Sequence, residues 1–269
     1  MKFLLKFTLT IAAMLLAAGL AIAQNFKLGE VLFLSTSPME QGADAGAFAA
    51  YIDKQAESWN KAFPQTTLKV MNADRGGKNG HSMLVCTAAQ IKDRKALPPG
   101  SPFAAAQLTS GYQTLGSFLE NPASYSEYQL LAPEKIKSMP KLGILGIHYI
   151  KVKPAMAKDF EKLVKDKLHT AVGHVMPEMQ LLYYKAVAGE HPGTYITVFA
   201  ITSYDARESM WPTGGAEQDI VKTTFGPLKD LGKELATYFE EDSYLGPESG
   251  GGAAYWESRE WTDYLPVGM

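Results

Sequence analysis

The chain has 269 residues, with 26 lysines and arginines against 28 acidic residues and 46% apolar side chains. A formal net charge of −2 without a basic run gives no electrostatic footing for nucleic acid or an anionic membrane as a partner. Cys86 is the only cysteine, so no internal disulfide can form, and its setting in MLVCTA marks a small core residue rather than a nucleophile.

The first segment, MKFLLKFTLTIAAMLLAAGLAIAQ, places Lys2 and Lys6 before an apolar stretch from Leu9 to Leu20. It closes on the small-x-small triplet Ala21-Ile22-Ala23. This is the pattern of a cleavable export leader over residues 1–23, with Gln24 as the new N terminus, and the apolar run is short for a membrane span. The remainder is expected in a bacterial periplasm or outside the cell. It is long enough to bury a substantial core without covalent staples.

From Leu28 onward two stretches about 113 residues apart follow the same order, which is the signature of an internal repeat. LGEVLFLSTS (28–37) and LGILGIHYIKV (142–152) each read as a strand apolar on both faces. A helix follows in each. Phe48, Ile52, Ala56, Trp59 and Phe63 form one buried stripe, and Phe160, Leu163, Val164, Leu168, Ala171 and Val172 form the other. The period then falls to two. TTLKVMNA and GHSMLVCTA bracket a glycine-rich turn in the first stretch, and MQLLYYKAV and GTYITVFAITS bracket AGEHPG in the second, each a hairpin pattern. Glycine-interrupted helical segments come next, at 103–119 and 219–239. SEYQLLAP (126–133) and SREWTDYLP (258–266) supply a last strand to each stretch.

Strand, helix, strand, strand, helix, strand, written twice, predicts an α+β fold of two tandem ferredoxin-like (βαββαβ) repeats, residues 24–138 and 139–269. One such unit leaves a sheet face bare. Leu32, Leu34, Ile147, Tyr149, Tyr195 and Phe199 are expected on those bare faces, where two fused copies cover one another. Over residues 28–266 the chain therefore resembles the dimeric α/β-barrel superfamily, in a tandem layout similar to NIPSNAP and antibiotic-biosynthesis-monooxygenase-like domains. The resemblance implies an intrachain barrel with a cleft for a small apolar or aromatic molecule. It includes cofactor-free oxygenases, haem-handling enzymes and isomerases, and it brings no matching catalytic motif, so no cofactor is assigned and fold does not fix function.

The candidate site residues lie in the second copy. His148 sits inside an apolar strand, where an imidazole needs a hydrogen-bonding partner such as Tyr183, Tyr184 or a ligand. The matching position in the first copy falls near Leu34, so the histidine is read as an asymmetry. It is a satisfied core group or a proton acceptor lining a cleft. Tyr183 is a candidate ligand contact, and Arg207 and Trp211, four residues apart after a strand, could project over the cleft mouth as an anion clamp and a ring contact. Their plainer reading is a surface arginine packed on an indole.

His81 and His191 fall at hairpin turns, and His169 and His174 are five apart, on different helical faces, so the histidines predict no metal site. Haem with His148 or His174 as axial ligand is an alternative, and a structural or interaction protein with closed clefts is another. ESGGGAAYW (248–256) lacks the lysine and flanking elements of a phosphate loop, and no G-x-S-x-G elbow occurs. Oligomeric state is not legible from the sequence.

Overall fold

A computed structural model describes residues 28–76, 81–97, 116–120, 125–135, 143–168, 179–189, 193–210, 231, 234–235, 237–240 and 261–266. The elements in chain order are β1 (Val31–Pro38), α1 (Ala45–Ala62), β2 (Thr66–Gly76), β3 (His81–Ala88), β4 (Ser126–Leu130), β5 (Ile144–Ile150), α2 (Ala157–Leu163), β6 (Met179–Gly189), β7 (Tyr195–Ile201), α3 (Tyr204–Met210) and β8 (Trp261–Pro266). The leader and most of 103–119 and 219–239 lie outside the described residues. No helix among the described residues is long and apolar enough to cross a membrane.

The eight strands close one antiparallel barrel in the order β1-β3-β2-β8-β5-β7-β6-β4. It divides into two arcs, β4-β1-β3-β2 and β8-β5-β7-β6, joined at the β2/β8 and β6/β4 seams. The arcs share a register. Val31 pairs with Ala88 and Ala88 with Thr66; 113 residues further along the chain, Ile144 pairs with Ile201 and Ile201 with Met179. The seams match too. Asp74 is skipped in the β2/β8 pairing and Val187, again 113 residues on, is skipped in the β6/β4 pairing. These bulges carry β2 and β6 beyond the ends expected from the sequence, to Gly76 and Gly189.

Alternation along each strand sends one set of side chains into the barrel and the other outward. Leu32, Leu34, Val85, Leu145, Ile147, Tyr184, Val198 and Tyr264 share the interior cluster, with Tyr149 packed against it. The interior therefore holds four of the residues expected on the bare faces. Tyr195 and Phe199 are corrections: both point outward, Tyr195 into the cluster around Phe160 and Phe239 and Phe199 into that of Ile144 and Ala206. Their partners Ile150 and Gly146 share the outward face, because paired residues in an antiparallel ladder project to the same side.

The outer face of the first arc is covered by α1. Asp44 caps this helix, its Oδ1 accepting from the Gly46 and Ala47 amides at 2.7 and 3.0 Å. Phe48, Ile52, Ala56 and Trp59 are buried against Phe33, Leu84 and Cys86, as the stripe predicts. Burial pushes the Cys86 thiol up to about 12, so it is not a thiolate. The outer face of the second arc is covered by α2 and the π-helical turn Val164–Leu168 that continues it, with Phe160, Leu163, Val164 and Leu168 buried. In this helix the buried stripe matches α1 at 112 residues, Phe48 with Phe160 and Ile52 with Val164. The strands match at 113, and the wide π turn lies between the two spacings.

Candidate functional site

Three strands of the second arc bring His148, Thr197 and Tyr183 into one cross-strand row on the outer face. His148 of β5 pairs with Thr197 of β7, and Thr197 pairs with Tyr183 of β6. Adjacent side chains in such a row stand about 5 Å apart at Cβ, within mutual reach. The backbone of Trp261 in β8 continues the row beyond His148. Tyr184, the other expected partner, points into the barrel and donates its hydroxyl to the Gly29 carbonyl at 2.8 Å.

His148 is fully buried, and burial holds its pKa well below 6.5. The imidazole is therefore neutral at neutral pH, the form that accepts a proton or ligates a metal. Its ring lies 5.2 Å from that of Phe199, tilted by 42°. Thr197 is 2% exposed, and its hydroxyl has no hydrogen-bond partner among the described residues. A buried hydroxyl in that state costs about 1–3 kcal/mol. Tyr183 is 5% exposed and meets Phe160 edge-on at 6.4 Å between ring centres.

One row along, Tyr195 donates to Glu161 at 2.8 Å and Lys185 donates to the same oxygen at 2.7 Å. Burial would raise the Glu161 carboxyl, but these two donors and the lysine charge bring it below its ordinary value. Burial, then the bond to Glu161, pushes the Tyr195 hydroxyl up. Phe160 packs edge-on to Tyr195 at 5.0 Å. The row is thus bordered by aromatic rings and by a lysine and a glutamate already matched to each other.

Arg207 does not stand over an open mouth. Its side chain is fully buried, its Nη1 donates to Asp74 at 2.8 Å, its Nη2 lies 2.8 Å from Glu208, and its guanidinium stacks 4.5 Å over Tyr204. The first arc carries the same device. Arg94, 113 residues earlier, donates Nε to both oxygens of Glu127 at 3.0 Å and stacks 5.2 Å over Phe33. Each arginine follows the third strand of its arc and pairs with a carboxylate at a seam bulge, Glu127 beside the skipped Val187 and Asp74 as the skipped residue itself. Trp211, His169, His174 and His191 lie outside the described residues; His81 opens β3 opposite Pro38. No group of three or more metal-ligating side chains gathers among the described residues.

The register moves the counterpart of His148 from the neighbourhood of Leu34 to Ser35. Aligning the two LG dipeptides gives a spacing of 114, which would set inward Leu34 against outward His148; the ladders require 113. Thr197, missed from sequence, then corresponds to Leu84 and Tyr183 to Val70. Aligning YITVFAI with MLVCTA by alternation rather than by identity would have exposed it.

No protein-family model matches the chain, and no curated protein matches its sequence. Solved structures similar to it include an anthrone oxidase-like protein, at 10% identity over 88% of this chain and 91% of the other with a TM-score of 0.48. A monooxygenase-like protein from Listeria innocua matches at 12% identity over 89% and 94%, with a TM-score of 0.42. The haem-degrading enzyme from Listeria monocytogenes matches at 11% identity over 71% and 86%, with a TM-score of 0.34.

Proposed function

We propose that this is an exported protein of two fused ferredoxin-like units, residues 24–138 and 139–269 behind a leader over 1–23, that binds a small apolar or aromatic molecule on the outer face of the second arc. The fused-unit reading is supported by register, bulges and carboxylate-paired arginines that all recur at one spacing. The binding reading is carried by one observation: the row Ser35, Leu84, Val70 of the first arc is replaced by His148, Thr197, Tyr183 in the second. Three hydrogen-bonding side chains gathered beside aromatic rings and a matched lysine–glutamate pair give a ligand polar groups to orient against.

Within that site His148 is the proton acceptor. A neutral imidazole inside an aromatic wall can accept the hydrogen bond of a bound phenol or enol and take its proton as an imidazolium–phenolate pair, whose attraction offsets the burial cost of the imidazolium; this raises the electron density of the ring, as oxygenase-like chemistry without a cofactor requires. The test uses the exported protein, whose N terminus is expected to read Gln24. Native mass spectrometry looks for a retained small molecule, and fluorescence titration with 1-naphthol compares wild type with His148→Leu. Binding lost in the variant with stability near wild type at pH 7.5 supports the reading; lost stability with unchanged binding overturns it.

A further inference from the structure

The hydroxyl at the centre of the row narrows the class of ligand. Thr197 lies between His148 and Tyr183, 2% exposed, in a strand whose side chains are all buried, and its Oγ1 has no hydrogen-bond partner among the described residues. Its counterpart in the first arc is Leu84, so the fold does not need a hydroxyl at this position. Valine has the same shape as threonine and would close the site without leaving a polar atom stranded. A buried polar group kept where an apolar isostere would pack is explained by a partner that arrives with the ligand.

Among the described residues, the charges that border the row are matched. Lys185 is held by Glu161, and Arg207 by Asp74 and Glu208. A carboxylate or ammonium would therefore enter a buried face without a counter-charge, at a desolvation cost that a neutral group avoids. The rings of Phe160, Tyr183, Tyr195 and Phe199 around the row favour a planar occupant.

Building on the binding site proposed above, we infer that Thr197 determines its specificity, selecting a neutral aromatic molecule whose ring carries a hydroxyl or carbonyl oxygen placed against the Thr197 hydroxyl. The threonine both donates and accepts, so it serves either oxygen. A site built to hydrogen-bond one oxygen discriminates against the analogue that lacks it, because the site's own polar group is then left unpaired.

The experiment titrates 1-naphthol and naphthalene into the full chain as wild type, Thr197→Val and Thr197→Ser. In Thr197→Val the ratio of the two dissociation constants is expected to move about tenfold toward naphthalene, the equivalent of one lost hydrogen bond. Thr197→Ser, which keeps the hydroxyl, is expected to hold the wild-type ratio. An unchanged ratio in Thr197→Val, with both compounds still binding, overturns the role of Thr197 and leaves the binding site standing. Failure of both compounds to bind the wild type overturns the two readings together.

Discussion

The two arcs of the barrel agree in register, seam bulges and the arginine after the third strand, and differ in their outward rows, where Ser35, Leu84 and Val70 stand against His148, Thr197 and Tyr183, and Ser37, Ser82 and Asn72 against Ile150, Tyr195 and Lys185. Both place an arginine after their third strand, paired with a seam carboxylate and stacked on an aromatic ring, Arg94 on Phe33 and Arg207 on Tyr204. Both skip one residue at the seam. What is shared in this way serves barrel closure, because a seam joins strands distant in sequence and a charged pair at a bulge fixes their register. The exchange of Ser35, Leu84 and Val70 for His148, Thr197 and Tyr183 involves neither a skipped residue nor a seam carboxylate. Comparison of the arcs therefore sets the polar groups tied to the seams apart from those that differ between the arcs, a separation that burial alone cannot make.

Removing a shared group is expected to have the largest effect. Arg207→Ala leaves Asp74 and Glu208 facing each other without their cation, and a cost of about 3 kcal/mol follows, at the low end for a buried pair because Asp74 is 31% exposed. Arg94→Ala is expected to cost less, since that arginine is itself 22% exposed. Urea denaturation of both variants checks the order. If Arg207→Ala kept full stability and lost 1-naphthol binding, the two arginines would not be equivalent.

The pH dependence of stability comes next and belongs to the second arc. His148 is neutral in the folded chain, with its pKa held well below 6.5 by burial, and titrates near its ordinary value once unfolded. Below about pH 6.5 the unfolded chain therefore binds more protons than the folded one, and stability falls as pH falls. One such group contributes a slope of up to about 1.4 kcal/mol per pH unit until the folded-state pKa is reached. Chemical denaturation at pH 7.5, 6 and 5 is expected to show that slope shrinking in His148→Gln. An identical slope in the variant would mean that His148 is not the group being titrated.

The smallest expected effects contrast the orphan hydroxyls of the two rows. Thr197→Val is expected to raise stability by about 1 kcal/mol, because the hydroxyl loses its water on folding and gains no partner. Ser35→Ala removes the orphan hydroxyl of the first-arc row, at the position that matches His148, and is expected to stabilise by less than about 1 kcal/mol. Calorimetry of the two variants distinguishes them from groups that support the fold, whose loss would lower the melting temperature.

The sequence by itself determined the strand order along the chain and the buried stripes of the first helix in each arc. Apolar periodicity records which side of an element is buried, and here it does so for Phe48 and Ile52 as for Phe160 and Val164. It also singled out His148 and Tyr183, which proved to share a row. The register was beyond it. The LG dipeptides suggest 114 residues where the ladders require 113, and a slip of one residue turns every side chain to the other face, which misplaced the counterpart of His148 and hid Thr197. The partners of Arg207 were equally hidden, since Asp74 lies in the other arc, 133 residues away, and meets it only because the barrel closes. Periodicity is a local property of the chain, whereas register and seam contacts are set by which strands meet, and only the tertiary structure decides that.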